Sequence, residues 1–133
     1  MAAYAMTITL PGTIAVIKDK VQQALKAQGF GILIEIDVQQ TLRDKIGFAM
    51  EPYLILGACN PQLASQALTA DRALGLLLPC NVVLREIDGA VEVSILDPEA
   101  MFAVVDQDTQ QQLSTLPSEV KRRLQAALTA LTP

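Results

Sequence analysis

The sequence predicts an α+β domain in which helices pack on one face of a sheet of about five strands. Short apolar segments with strand periodicity alternate with segments whose apolar residues recur at helical spacing. The pair Asp88-Gly89 separates two strand-like segments, which is typical of the tight turn of a β-hairpin. The 133 residues contain no internal repeat and no linker-like tract. We therefore expect a single domain over residues 1–133.

The first half of the chain has three strand-like segments and two helix-like segments. Strands are predicted at residues 4–10, 30–37 and 53–59. The first helix follows Thr13 and ends at Gly29, because glycine provides the left-handed conformation that closes a helix. A shorter helix follows Asp37, whose spacing to Gln40 resembles a capping box, and ends at Gly47.

The second half is predicted to contain a hairpin and three helices. Asn60 is a good N-cap and Pro61 fits the first helical position, so a helix to about residue 70 follows. The hairpin pairs residues 81–87 with residues 90–96, with Ile87 opposite Ala90. A short helix follows Asp97, and a terminal helix covers residues 116–131. The hairpin register gives a wetter face with Arg85 and Glu92 and an apolar face formed by Val82, Leu84, Val91, Val93 and Ile95.

Composition and charge exclude several classes of function. The chain has 10 basic and 14 acidic residues, a net charge of −4, which disfavours nucleic acids and anionic membrane surfaces as partners. The basic run Lys121-Arg122-Arg123 is predicted to be a solvated face of the terminal helix. There is no histidine, so the commonest general base and metal ligand are missing. The sequence also lacks phosphate-binding loops and a nucleophile elbow. We expect a protein without catalytic residues, cofactor or metal.

Localisation is predicted from the N-terminus and from cysteine usage. The first 11 residues lack the basic and apolar regions of a secretory signal. The longest nearly uncharged stretch, residues 52–70, is interrupted by Gly57 and by Asn60-Pro61, which disfavours a membrane span. With two cysteines in all, the chain is expected in the reducing cytoplasm with both thiols free.

The two cysteines mark the most unusual locality. Cys59 closes one predicted strand, and Cys80 opens the next. If these strands are antiparallel, both thiols lie at the same end of the sheet; if they are parallel, roughly 20 Å separates them. A close pair would permit redox or sulfur-transfer chemistry, whereas separate cysteines would be small buried hydrophobic residues. Two sulfurs without histidine fall short of the four ligands of a zinc site.

Polar residues near these strand ends complete the candidate site. The start of the third helix could receive an anion, although helix capping by Asn60 explains it more simply. Glu35, Asp37 and Glu51 could form an acid–base pair, although helix capping and solubility account for the first two. The candidate ligand-binding residues are Cys59, Asn60, Cys80, Asn81 and Asp37.

Five fragments in order and spacing resemble one family: Gln28-Gly29-Phe30, Glu35-Ile36-Asp37-Val38, Ala58-Cys59-Asn60-Pro61, Leu78-Pro79-Cys80-Asn81-Val82 and Asp97-Pro98. The family is the bacterial and archaeal domain of unknown function 302 (DUF302), and the similarity runs from about residue 7 to residue 131. The resemblance implies a two-layer, TATA-binding-protein-like architecture with a curved, mainly antiparallel sheet, and a homodimer. It favours the arrangement with both cysteines at the same end, and it brings no established activity.

Three functions remain open at this point. The leading hypothesis is a non-catalytic dimeric domain that binds a small molecule or a protein partner beside Cys59 and Cys80. The alternative is a thiol-dependent redox or sulfur-handling protein that uses both cysteines. The third is an assembly role in which the dimer itself is the functional product.

Overall fold

A computed structural model describes residues 2–132. Strands and helices follow one another along the whole described chain, and their bounds agree with the predicted segments to within one or two residues for all five strands. The strands are β1 (Ala5–Pro11), β2 (Gly31–Asp37), β3 (Tyr53–Cys59), β4 (Cys80–Ile87) and β5 (Ala90–Leu96), and the helices are α1 (Ile14–Ala27), α2 (Val38–Ile46), α3 (Pro61–Ala70), α4 (Pro98–Phe102), α5 (Gln107–Gln112) and α6 (Leu116–Leu131).

The five strands form one antiparallel sheet in the order β1-β5-β4-β3-β2. The predicted α+β class with helices and a five-stranded antiparallel sheet is confirmed. In the hairpin, Ile87 pairs with Ala90 and Arg85 pairs with Glu92, as the Asp88-Gly89 turn predicts. Asp88 has a φ of 52° and Gly89 a φ of 77°, which are the positive values that this type of turn requires.

Apolar residues of the sheet and of the helices form two hydrophobic clusters. The larger cluster joins one face of the sheet to α1 and α6, and its members include Ile17, Leu56, Val82 and Leu124, all at most 2% exposed. The smaller cluster joins α3, the segment at residues 72–77, α4 and α6, and it consists of Leu63, Ala67, Leu74, Phe102 and Leu116. The smaller cluster covers the end of the sheet where β3 leads into α3.

Two helical elements were not predicted. A 3-10 helix, Arg72–Leu77, follows α3, and the Asp71 side chain caps it by accepting a hydrogen bond from the Ala73 N–H at 2.9 Å. The second is α5, in a polar stretch with little apolar periodicity. Short elements of this kind have too few residues to show a clear repeat in the sequence.

The opposite face of the sheet carries polar and apolar side chains. Arg85 bonds Glu92 at 3.2 Å and Glu51 at 2.8 Å there, which agrees with the wetter face predicted for the hairpin. The prediction that the basic run of α6 is exposed to solvent holds for Arg122 alone, whose side chain is 67% exposed. Lys121 instead bonds Asp97 at 2.9 Å, and the third residue of the run bonds Glu119. Within residues 2–132, no helix combines the length and the apolar character that crossing a bilayer requires.

Candidate functional site

The antiparallel pairing of β3 and β4 brings the two cysteines to one end of the sheet. Ala58 pairs with Cys80, so Cys59 lies one residue beyond the partner of Cys80. Partner Cα atoms in such a ladder are about 5 Å apart and the rise per residue is about 3.4 Å, which places the two cysteine Cα atoms about 6 Å apart. Both thiols are free and half-buried. The same-end arrangement is therefore the one that the fold adopts.

A cavity of about 60 Å³ lies at this end of the sheet, between the two hydrophobic clusters. Phe30 and Ala58 of the larger cluster form part of one side. Residues of α3, the 3-10 helix, α4 and α6 form the rest, and both cysteines belong to the lining. The apolar side chains of the smaller cluster that contribute are Leu63, Ala67, Leu74, Phe102 and Leu116.

Asn60 connects the rim of the cavity to the start of α3. It is 6% exposed, and its side-chain oxygen accepts a hydrogen bond from the Leu63 N–H at 3.2 Å. Pro61 has no N–H to offer, so this cap occupies a donor that an anion would need. The amide also approaches the chain at Gly29, where an added Cβ would lie 2.8 Å from Nδ2 of Asn60. Asn60 is thus held as a capping residue.

The environment of the cavity affects the protonation of the Cys80 thiol. Burial, together with the nearby Cys59, raises the pKa of Cys80 to about 11. At pH 7 roughly one part in ten thousand of Cys80 is then thiolate. Among residues 2–132, no charged side chain lines the cavity. Cys80 is therefore a neutral thiol at neutral pH, which disfavours it as a nucleophile.

The remaining candidate residues lie away from the cavity. Asn81 is exposed and pairs with Gly57 across the sheet, but it does not line the cavity. Asp37 is at the other end of β2, opposite Leu54, and its carboxylate caps α2 by accepting from the Gln40 N–H at 2.9 Å. The structure thus brings together Cys59, Asn60 and Cys80, and it leaves Asn81 and Asp37 outside.

The three acidic residues considered for acid–base chemistry are also apart. Glu35 bonds Lys18 at 3.1 Å, Glu51 bonds Arg85 at 2.8 Å, and Asp37 caps a helix. Across residues 2–132 there is no group of three or more cysteine or acidic side chains placed to hold a metal ion. Each acidic residue accordingly has a structural partner of its own.

Sequence reasoning missed the residues that close the cavity. Leu74 and Leu77 come from the 3-10 helix, and Met101 and Phe102 come from α4. The spacing of three between the two leucines, shortly before Pro79-Cys80, was the available signal. Both segments are short, so their position over the cysteines depends on packing, of the 3-10 helix against α3 and of α4 against α6, rather than on local pattern.

The fold and the site define a small α+β domain with an apolar cavity between two clusters. The sequence model of the domain of unknown function DUF302 matches residues 6–131, and the chain belongs to this family. The chain is similar to the uncharacterised conserved protein DUF302 from Bacillus stearothermophilus, whose crystal structure superimposes with a TM-score of 0.87 at 24% identity. That match covers 98% of this chain and 100% of the other. No curated protein matches the sequence.

Proposed function

We propose that this protein is a non-catalytic, dimeric ligand-binding domain, and that the ligand occupies the cavity between its two clusters. The observation that carries the proposal is the lining, which is apolar and includes two free thiols. Binding sites for small molecules are typically concave and apolar with a few polar groups. We infer a neutral, mainly apolar ligand, because the lining within residues 2–132 offers no charge to balance an ionic one.

The volume of the cavity limits the size of the ligand that it can hold. An engineered apolar cavity of about 150 Å³ stays dry and binds benzene or xenon. The cavity here has about 60 Å³, enough for a ligand of very few heavy atoms. A larger ligand requires the smaller cluster to move. Two members of that cluster, Leu74 and Phe102, come from short elements, the 3-10 helix and α4, and the cluster is separate from the larger one.

Xenon is a suitable first probe because it is apolar and small. We expect xenon to shift the NMR signals of Ala58, Ala67 and Met101 methyl groups in a saturable way. The variant Ala67→Leu fills the cavity and should abolish these shifts, whereas Ala70→Leu adds the same carbons to α3 outside the lining and should preserve them. Absence of saturable shifts, or equal binding by both variants, would overturn the proposal.

The dimer is proposed to form through the sheet face opposite the core. Ile34 and Ile36 of the edge strand β2 lie on this face and are 47% and 41% exposed. They adjoin the half-buried Ile55, whose β4 partner is Val83. A contiguous apolar face of this kind is typical of an interaction surface. A second copy fits because a two-fold interface uses the same patch on both subunits.

Sedimentation of the wild type and two variants tests the dimer. The wild type should sediment as a dimer at micromolar concentration, and Ile34→Glu should sediment as a monomer. The control Val104→Glu changes a residue that is 75% exposed after α4, outside this face, and should remain dimeric. A monomeric wild type, or a dimeric Ile34→Glu, would argue against this interface.

The second candidate function is thiol redox or sulfur handling in a reducing compartment such as the cytoplasm. It is favoured by the fact that Cys59 and Cys80 line the same cavity. Hydrogen peroxide would convert the two thiols and one peroxide into one disulfide and two waters. Mass spectrometry after peroxide treatment should then show a loss of two hydrogens within one chain. Separate sulfinic acids, or unmodified thiols, would remove this candidate.

A further inference from the structure

A second concave surface adjoins the cavity and shares part of its wall. It is a groove of about 460 Å³ that is open to solvent and is lined by residues of α4, α5, α6 and their connections. Phe102 and Pro117 line both the groove and the cavity. Phe102 is 9% exposed and belongs to the smaller cluster. These two side chains therefore form a wall between the cavity and the groove.

We propose that Phe102 opens this wall and that the joined site binds an amphiphilic primary amine, with its alkyl chain in the cavity and its ammonium group in the groove. The proposal rests on the ligand-binding function proposed above, and it adds the chemical class of the ligand and its route of entry. Sites for small molecules usually have about 300–1,000 Å³. The cavity of about 60 Å³ is far smaller, whereas the groove is within that range. Joining the two spaces therefore gives the cavity the extent that it lacks.

The backbone at the end of α4 favours a movement of Phe102. This helix has five residues, and two of the hydrogen bonds at its C-terminal end are long. The Ala103 N–H bonds the Ala100 carbonyl at 3.4 Å, and the next N–H bonds the Met101 carbonyl at 3.5 Å. Both distances exceed the 2.7–3.2 Å of ordinary N–H···O bonds. Because weakly bonded segments open locally at low cost, Phe102 can move without a change in the larger cluster.

The groove offers a negative charge and hydrogen-bond acceptors. Glu99 is exposed, and among residues 2–132 the lining of the groove includes no basic side chain. The amide nitrogen of Gln110 donates to the Val105 carbonyl at 2.6 Å, which leaves its oxygen to accept from a ligand. The Ser118 hydroxyl donates to the Thr115 carbonyl at 3.0 Å, so its oxygen is also left to accept. An ammonium group has three N–H donors and a positive charge, and it therefore complements this lining.

The contrast between the two spaces determines the orientation of the amine. No charged side chain within residues 2–132 lines the cavity, and the side-chain oxygen of Asn60 is engaged as a helix cap. An ammonium group would be buried there without a partner, at high cost. The part of the ligand inside the cavity is thus neutral and apolar, as proposed above, and the charged end remains in the groove beside Glu99.

NMR titration with n-alkylamines from butylamine to octylamine, at constant ionic strength, tests the proposal on the wild type. The affinity should rise about fourfold for each added methylene group until the cavity is full. In bound hexylamine, nuclear Overhauser effects should connect its terminal methyl group to Ala67 and the methylene beside its nitrogen to Ala103. The ring signals of Phe102 should shift at the same time. These measurements do not depend on the folding of any variant.

Matched variants separate the roles of the two ends of the ligand. Glu99→Gln should weaken the binding of hexylamine about two- to fivefold and leave the binding of hexanol unchanged. Asp44→Asn removes the same charge from α2, outside the groove, and should bind hexylamine as the wild type does. Ala67→Leu should stop the rise of affinity at a shorter chain, whereas Ala70→Leu, outside both linings, should not.

The possible failures of this proposal are distinct from those of the proposed function. Equal binding of hexylamine and hexanoate, an affinity independent of chain length, an unshifted Phe102 ring, or contacts confined to the groove would overturn it. Saturable xenon shifts without binding of hexylamine would also overturn it, but would leave the cavity as a binding site. The absence of saturable shifts with both probes would overturn this proposal and the proposed function together.

Discussion

The contact between Gly29 and Asn60 leads to a quantitative prediction about the rim of the cavity. Gly29 follows α1 with a φ of +86°, and its N–H bonds the Lys26 carbonyl at 3.0 Å. A Cβ at this position would lie 2.8 Å from Nδ2 of Asn60, closer than real Cβ contacts occur. The substitution Gly29→Ala therefore strains the backbone and displaces a buried helix cap.

The expected loss of folding free energy in Gly29→Ala is the sum of two separate costs. A non-glycine residue in the left-handed conformation costs about 1–2 kcal/mol. Displacing Asn60 weakens its hydrogen bond to the Leu63 N–H, and loss of an N-cap costs about 0.5–2 kcal/mol. We expect Gly29→Ala to lower the free energy of unfolding by about 1.5–4 kcal/mol. Gly47→Ala is the matched control, because Gly47 has a φ of +66° and nothing within 4 Å of an added Cβ. It should lose only about 1–2 kcal/mol.

Urea unfolding of the two glycine variants, of Asn60→Ala and of the Gly29→Ala/Asn60→Ala double variant measures this coupling. In the Asn60→Ala background the added methyl group has space, so Gly29→Ala should cost about as much as Gly47→Ala does. The double variant should thus be more stable than the sum of the single effects predicts. Equal losses for the two glycine variants in the wild-type background, or additive effects in the cycle, would refute the steric reasoning.

Three further predictions concern the thiols, acid stability and the core. The alkylation rate of Cys80 should keep rising above pH 10, in keeping with its pKa of about 11, and Cys59→Ala should shift that profile to lower pH, as iodoacetamide kinetics would show. Hydrogen bonds from two arginines lower the pKa of Glu119 to about 2 from its ordinary 4.5, so its contribution to stability is full above pH 4.5 and is lost as the pH falls to about 2; Glu119→Gln should flatten acid unfolding over that window. Leu84→Ala, at a position that is 0% exposed, should cost about 2–5 kcal/mol in urea unfolding, and Ile87→Ala, at 38% exposure, much less.

Patterns local in the sequence predicted most of the fold. The Asp88-Gly89 turn determines the hairpin register completely, because a two-residue loop leaves one pairing for the strands that it joins. The helix caps at Asp37 and Asn60 were also predicted from the sequence. The side chain of each residue accepts a hydrogen bond from a backbone N–H in the first turn of its helix, as is typical of N-caps. These features depend on neighbours within a few residues.

The candidate site could be predicted only in part. Cys59 and Cys80 were identified by their positions at strand ends, but whether they meet depends on the direction of the strands, which no local pattern gives. Asp37 was included in the candidate site, but β2 places it opposite Leu54, at the end of the sheet away from the cysteines. Met101 was assigned to a short helix without a role, because its position over the cavity results from the packing of α4 on α6.

The size of the cavity indicates where the affinity for a ligand must come from. Filling an apolar cavity returns about 24 cal/mol per Å³, so 60 Å³ corresponds to about 1.4 kcal/mol, or about a factor of ten in affinity. Filling the space alone therefore gives only weak binding, of the kind expected for xenon. A tight ligand has to bury more apolar surface than this cavity offers, which requires the smaller cluster to move.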